Sequence, residues 1–208
     1  MAQVKLTYFD LYGRGEIIRL LLKHAGIEFE DFRLPAPFVD PTEWMKLKPT
    51  IPSGQLPMLE WNGTKLSQSM AICRFIAKEA NLAGKTSLET AAIDEMVDAV
   101  QDINNQWYNG QFETNEEKKK EMQENFNKVF LPEKLRMIEK RMTSSGGQFL
   151  AANALSWADI HFLQSALVLQ KTDPEVLKDF PKLENLVKRV QDLPNLKKWI
   201  AERPDAPF

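Results

Sequence analysis

Strand patterning in this chain stops at Gly84, and that division constrains its fold more than any other feature. Val4, Leu6 and Tyr8 alternate with Lys5 and Thr7, a period-two strand. Gly13 and Gly15 break the pattern, and Ile17, Ile18, Leu21 and Ala25 then form a helical stripe stopped by Gly26. Glu28 to Arg33 alternates again, with Phe29 and Phe32 as its apolar members. Strand, helix and strand in that order predict a parallel pair joined by a right-handed crossover. A stretch with Pro35, Pro37, Pro41, Pro49 and Pro52 follows, interrupted by a short helix from Thr42 to Lys48. Asn62-Gly63 between two short apolar runs is a strong hairpin signal. A further helix opens at Ser67-Gln68-Ser69 and is expected to run to Gly84.

Beyond Gly84 every pattern is helical. Thr86 to Glu89 matches a capping box, with Ile93, Met96, Val97 and Val100 following at helical spacing. Glu116 to Glu121 is a run of mixed charge suited to a solvated helix face, and Pro132 is expected to bend the segment that continues from it. Gly146-Gly147 ends that segment, and Ser156 to Asp159 forms a second capping box opening an apolar helix to about Lys171. Leu183, Leu186, Val187 and Val190, then Leu196, Trp199 and Ile200, are the last stripes. The expected division is residues 2–84 as an α/β domain and residues 86–208 as an all-helical one.

Composition narrows the chemistry. With 27 basic and 29 acidic residues the chain lacks the basic excess of a polyanion binder, so no nucleic-acid partner is expected. A single cysteine, Cys73, excludes an intramolecular disulfide, a CxxC pair and a thiolate metal cluster. It shares a stripe with Ile72 and Ile76 and reads as a packing residue. Two histidines cannot build a three-histidine zinc site, and no metal is expected. No apolar run approaches the roughly 20 residues needed to span a bilayer. Polar residues within the first six positions do not suit a signal peptide, so a cytoplasmic location and no membrane insertion are expected.

The order β-α-β-α-β-β-α is the thioredoxin-like arrangement, with Tyr8 and Arg14 in the turn where a redox protein carries CxxC. The strings Lys5-Leu6-Thr7-Tyr8-Phe9 and Gly13-Arg14-Gly15-Glu16-Ile17-Ile18-Arg19 resemble the start of a sigma-class glutathione transferase. Trp44 to Lys48, Gly54-Gln55-Leu56-Pro57 and Gln68 to Ile72 extend the likeness. Leu82 to Thr86, Ser156 to Asp159, Trp199-Ile200 and Arg203-Pro204 carry it through the helical part, with a nematode-like flavour.

The resemblance implies glutathione as co-substrate, a homodimer, and detoxification of small hydrophobic electrophiles. It implies that Tyr8 donates a hydrogen bond to the glutathione sulfur and that Arg14 supports Tyr8. Leu56 is implied to meet the cysteinyl backbone from a cis Leu56–Pro57 turn, alongside Gly54 and Gln55. Gln68 and Ser69, opening a helix, are implied to take the γ-glutamyl carboxylate, as a helix N-terminus suits an anion. Trp44 and Lys48 are implied at the glycyl end, behind a loop over Pro35 to Pro41 that is longer than is common in the class. Asp102 is implied to reach across a dimer to the ligand's γ-glutamyl ammonium; Asp98, four residues earlier on the same face, is the alternative for that part. Gly13, Arg14, Trp107, Tyr108, Phe112 and Phe208 are candidates for the apolar wall of the second-substrate pocket.

Two other readings remain open at this stage. The same thiolate could isomerise a prostaglandin endoperoxide, as in prostaglandin D synthases of this class. A non-catalytic ligand carrier or crystallin-like protein is the reading from another class.

Overall fold

The computed structural model describes residues 3–206. Its contacts separate two compact units. One holds the residues up to Ala80 together with the segment from Asp192, and the other spans Asn81–Gln191.

The first unit is built on a four-stranded sheet of β1 (Val4–Phe9), β2 (Glu30–Leu34), β3 (Met58–Trp61) and β4 (Thr64–Ser67) in the order β2-β1-β3-β4. β1 and β2 are parallel, as the intervening helix α1 (Gly13–His24) requires, while β1–β3 and β3–β4 are antiparallel. Asn62-Gly63 makes the β3–β4 hairpin, both residues at positive φ. α1 packs on α3 (Ser69–Glu79), and a short α2 (Thr42–Leu47) leads into one 3-10 turn over Lys48–Thr50. Leu6 and Leu59, paired across the sheet, and Ile18, Leu21, Ile72 and Ile76 from the helices are fully buried.

Three details differ from the sequence expectation. β2 starts at Glu30, and its inward positions hold Asp31 and Arg33 while Phe32 faces out under the Lys5 ammonium. The cause lies in α1, whose Arg19 is fully buried and takes Asp31 as counterion. α3 ends at Glu79 rather than at Gly84, with Asn81 in the left-handed region just beyond it. The segment from Asp192, assigned by sequence to the helical part, carries a helix, α9 (Pro194–Glu202), that packs on α1.

In the second unit α4 (Ser87–Phe112) packs on α7 (Trp157–Thr172), which packs in turn on α8 (Pro181–Gln191). Both expected capping boxes form. Thr86 Oγ1 accepts from the Glu89 N–H, and the Asp159 carboxylate accepts from the N–H groups of Ser156 and Leu150, each at 2.8 Å. α5 (Glu116–Asn125) runs through a π-helical turn, Phe126–Phe130, into α6 (Leu131–Ser144). That wide turn pairs the Leu131 N–H with the Phe126 carbonyl immediately before Pro132, which has no N–H of its own to offer.

Candidate active site

Tyr8 stands near the end of β1, 7% exposed, in a seat shaped by two glycines. A Cβ at Gly13 would lie 2.7 Å from the Tyr8 hydroxyl, and one at Gly15 would overlap the ring itself. Gly13 also has φ +38°, a value L side chains rarely adopt. The Gly-Arg-Gly string is therefore the space in which Tyr8 fits. Between the glycines, the Arg14 backbone N–H donates to Tyr8 Oη at 3.1 Å. With its acceptor side engaged, the hydroxyl keeps its proton to donate elsewhere. Burial raises the Tyr8 pKa above the ordinary phenol value, opposed by the Arg14 N–H and by the charges of Arg14 and Arg19. At neutral pH Tyr8 is thus a neutral donor.

Arg14 meets Tyr8 through its backbone, and its residue is exposed. A second guanidinium, that of Arg19, lies 5.8 Å from the Tyr8 ring centroid. Arg19, Glu16, Asp31 and Arg33 are not among the site residues expected from sequence. The available signal was a charge inside the apolar run Ile17–Leu22, which no solvated helix face explains.

Gly54, Gln55, Leu56, Gln68 and Ser69, expected to hold a tripeptide, lie on adjoining segments. Leu56 packs against the cluster of Tyr8, Leu11 and Ala36, and the Leu56–Pro57 bond is cis. Register then sets the next neighbour, because Met58 pairs with Ser67 and so brings the end of the cis turn beside Gln68 and Ser69. Ser53, absent from the sequence reading, joins the two segments. Its Oγ accepts from the Gln55 N–H at 3.3 Å and lies 3.0 Å from Ser67 Oγ. Gly54, between them, has φ +62°.

Gln68 sits at φ 72°, ψ 110°, in backbone space that costs a non-glycine residue of order 1–3 kcal/mol. Its own carbonyl accepts from the Ile72 N–H, and its side chain makes no cap bond to the first turn of α3. The opening N–H groups of α3 are thereby presented for an anion. Trp44 lies on α2 with its ring edge-on to Phe9 at 5.5 Å, and Phe9 in turn neighbours Tyr8 at 5.5 Å. Lys48, exposed one turn after Trp44, donates its N–H to the Trp44 carbonyl. In the long loop before α2, Ala36 is buried while Phe38 and Val39 are exposed.

Other expected residues belong to the second unit. Asp102 is exposed on α4 and ion-paired with Lys134 at 2.6 Å, and Asp98 lies exposed on the same helix. Trp107 meets Tyr108 edge-on at 5.1 Å, and Tyr108 stacks on Phe112 at 6.1 Å. Phe208 lies outside the described residues. Cys73 is fully buried, and burial pushes its thiol pKa far up, which removes it from thiolate chemistry. Among the described residues no group of three His, Cys, Asp or Glu side chains could hold a metal ion, and no helix is long and apolar enough to cross a membrane.

Comparison with known proteins identifies the family. The model for the glutathione S-transferase N-terminal domain matches residues 4–78, and that for the C-terminal domain matches residues 101–203. The chain is 37% identical over 215 residues to glutathione S-transferase 1 of Ascaris suum, covering 100% of both. It is 33% identical over 205 residues to the hematopoietic prostaglandin D synthase of Homo sapiens, covering 98% of each. Among solved structures, prostaglandin synthase D of Nilaparvata lugens superposes with a TM-score of 0.89 at 32% identity, over 98% of this chain and 99% of that one. The chain belongs to the glutathione transferase family.

Proposed function

We propose that this enzyme ionises the glutathione thiol at Tyr8 and adds the sulfur to electrophilic carbon in small hydrophobic substrates. The observation that carries this reading is the Tyr8 hydroxyl, buried and neutral, with its acceptor side filled by the Arg14 N–H. A free thiol with a pKa near 8.5 is only a few per cent thiolate at neutral pH. Lowering that value by about two units takes about 2.7 kcal/mol of preferential thiolate stabilisation. A phenol donating one charge-assisted hydrogen bond, near two guanidinium groups, is of that order. The thiol proton leaves to solvent, the sulfur lone pair forms the new S–C bond, and the leaving group departs with the electron pair it shared with that carbon.

In this reading the α3 N-terminus with Gln68 and Ser69 takes one carboxylate, Leu56 takes the central backbone, and Trp44 and Lys48 take the glycyl end. Gln55 contributes no charge to that end. Gly13 and Arg14, which border the Tyr8 hydroxyl, face the second substrate. The enzyme is of the sigma class, acts in the cytoplasm, and works as a homodimer in which Asp102 of one subunit serves the other's glutathione. Conjugation of an aryl chloride by the purified protein tests the reading, and no rate above the uncatalysed one would refute it.

A second reading has a specific observation in its favour. Relatives named as prostaglandin D synthases match across nearly the whole chain. On that reading the Tyr8-bound thiolate opens an endoperoxide, and turnover of a prostaglandin endoperoxide in the presence of glutathione separates it from the first.

A further inference from the structure

We propose that Arg19 is the positioning residue for Tyr8, holding the turn after β1 so that the phenol keeps the orientation needed to ionise a thiol. This rests on the reading of Tyr8 above and assigns a role that the reading leaves empty.

The geometry is specific. Arg19 is fully buried. Nη1 donates to the Leu11 carbonyl at 2.8 Å, on the turn after β1, and Nη2 to the carbonyl of Phe9 at 3.4 Å, the last residue of β1. Nε reaches both Asp31 oxygens at 3.0 and 3.1 Å, tying that turn to β2. The chain itself supplies the other link, because Arg19 lies on α1, whose first turn carries Gly13, the Arg14 N–H and Gly15. One planar cation thus fixes the turn that leaves Tyr8, the helix that hydrogen-bonds it and the neighbouring strand, with its charge 5.8 Å from the ring.

Burying a guanidinium is costly unless it is paired and its donors are filled. Here Glu16 on α1 and Asp31 on β2 supply the counter-charges. Arg33 on β2 bridges Asp31 and Asp10, and Arg203, following α9, pairs with the second Glu16 oxygen at 2.7 Å. Around the ring the facing charges are Arg14 and Arg19. A lysine at position 19 would keep the charge but could not span Asp31 and two carbonyls with one compact ammonium.

The test is the pH titration of thiolate absorbance for glutathione bound to the purified enzyme, with KM for glutathione and thermal stability measured in parallel. In Arg19→Lys the bound thiol pKa is expected to rise by about half to one unit, three- to tenfold less thiolate at the same pH, while KM moves less than about twofold. In the Tyr8→Phe background the same substitution is expected to add no further rise, because its effect passes through Tyr8. An unchanged thiol pKa in Arg19→Lys, or an equal rise with and without Tyr8, would overturn the proposal. If Arg19→Lys does not fold, Asp31→Ala decides. A positioning role predicts a rise as the guanidinium loosens, whereas a pure field effect predicts a fall as its charge loses its counterion. A Tyr8→Phe enzyme with the parent's thiol pKa would instead refute the Tyr8 reading itself, an outcome distinct from any in the Arg19 series.

Discussion

The backbone N–H of Arg14 donates to Tyr8 Oη at 3.1 Å, so the helix that follows the first strand turns its opening amide onto that strand's own tyrosine. Donor and acceptor stand six positions apart, and the two glycines flanking Arg14 are what allow the approach.

Gly15→Ala is expected to disable the enzyme without removing a polar group. Its methyl would overlap the Tyr8 ring, and overpacking of this kind costs about 1–3 kcal/mol. Tyr8 would shift to relieve it, and misplacement of a reacting group by about 1 Å can cost about 100-fold in rate. Steady-state conjugation kinetics beside a melting curve would check both effects. Unaltered kcat/KM would show that the Tyr8 position does not matter.

The pH dependence of catalysis between about 6 and 8 is expected to belong to the thiol and not to Tyr8. Burial raises the Tyr8 pKa above the usual phenol value, so the residue stays a neutral donor through that range. The same shift has a stability consequence whose sign is fixed. A folded pKa above the unfolded one adds stability that is full below about pH 10 and is lost as the pH climbs through the folded value. A tyrosinate difference spectrum of the parent against Tyr8→Phe would place the ionisation, and titration of Tyr8 below its ordinary range would contradict this account.

Trp199→Phe is expected to weaken the first unit. The indole Nε1–H donates to the buried Glu16 carboxylate at 2.9 Å, and losing one such bond to a buried charge costs about 1–3 kcal/mol. Thermal or denaturant unfolding would register this as a lowered midpoint. No change would mean that Glu16 is held by Arg203 and Arg19 alone.

Asp102→Asn separates a surface role from a ligand role. Its pair with Lys134 is exposed, so stability should change by less than about 1 kcal/mol. If Asp102 serves a partner's glutathione, KM for glutathione should rise roughly ten- to hundredfold, the worth of a hydrogen bond between charged groups. Sedimentation supplies the companion result, with a species of twice 23.9 kDa expected at micromolar concentration. A monomer that still conjugates efficiently would contradict the shared site.

Much of the first unit was legible because local signals and global fold agree there. Period-two alternation marks β1 and Asn62-Gly63 marks the hairpin, and in the second unit Thr86 and Ser156 mark the caps of α4 and α7. Arg19 was not legible, since a charge inside an apolar run declares its need for a partner without saying where the partner lies. The partner, Asp31, sits on β2 with Phe32 turned outward, which inverts the hydrophobic alternation expected there. α9 was read correctly as a helix, but its packing on α1 depends on Trp199 and Arg203 reaching Glu16, a pairing more than 180 residues apart in sequence. Ser53 carries no periodic signal at all, and only the hairpin register brings it to Ser67.

The central claim is that the Tyr8 hydroxyl ionises the glutathione thiol. Its most direct test is the thiolate absorbance of bound glutathione titrated in the parent and in Tyr8→Phe. The account predicts a parent thiol pKa about two units below the free value near 8.5, returning to about that value when the hydroxyl is removed, with a matching loss of about 50-fold in conjugation rate near pH 6.5. Equal thiol pKa values in the two proteins would contradict it.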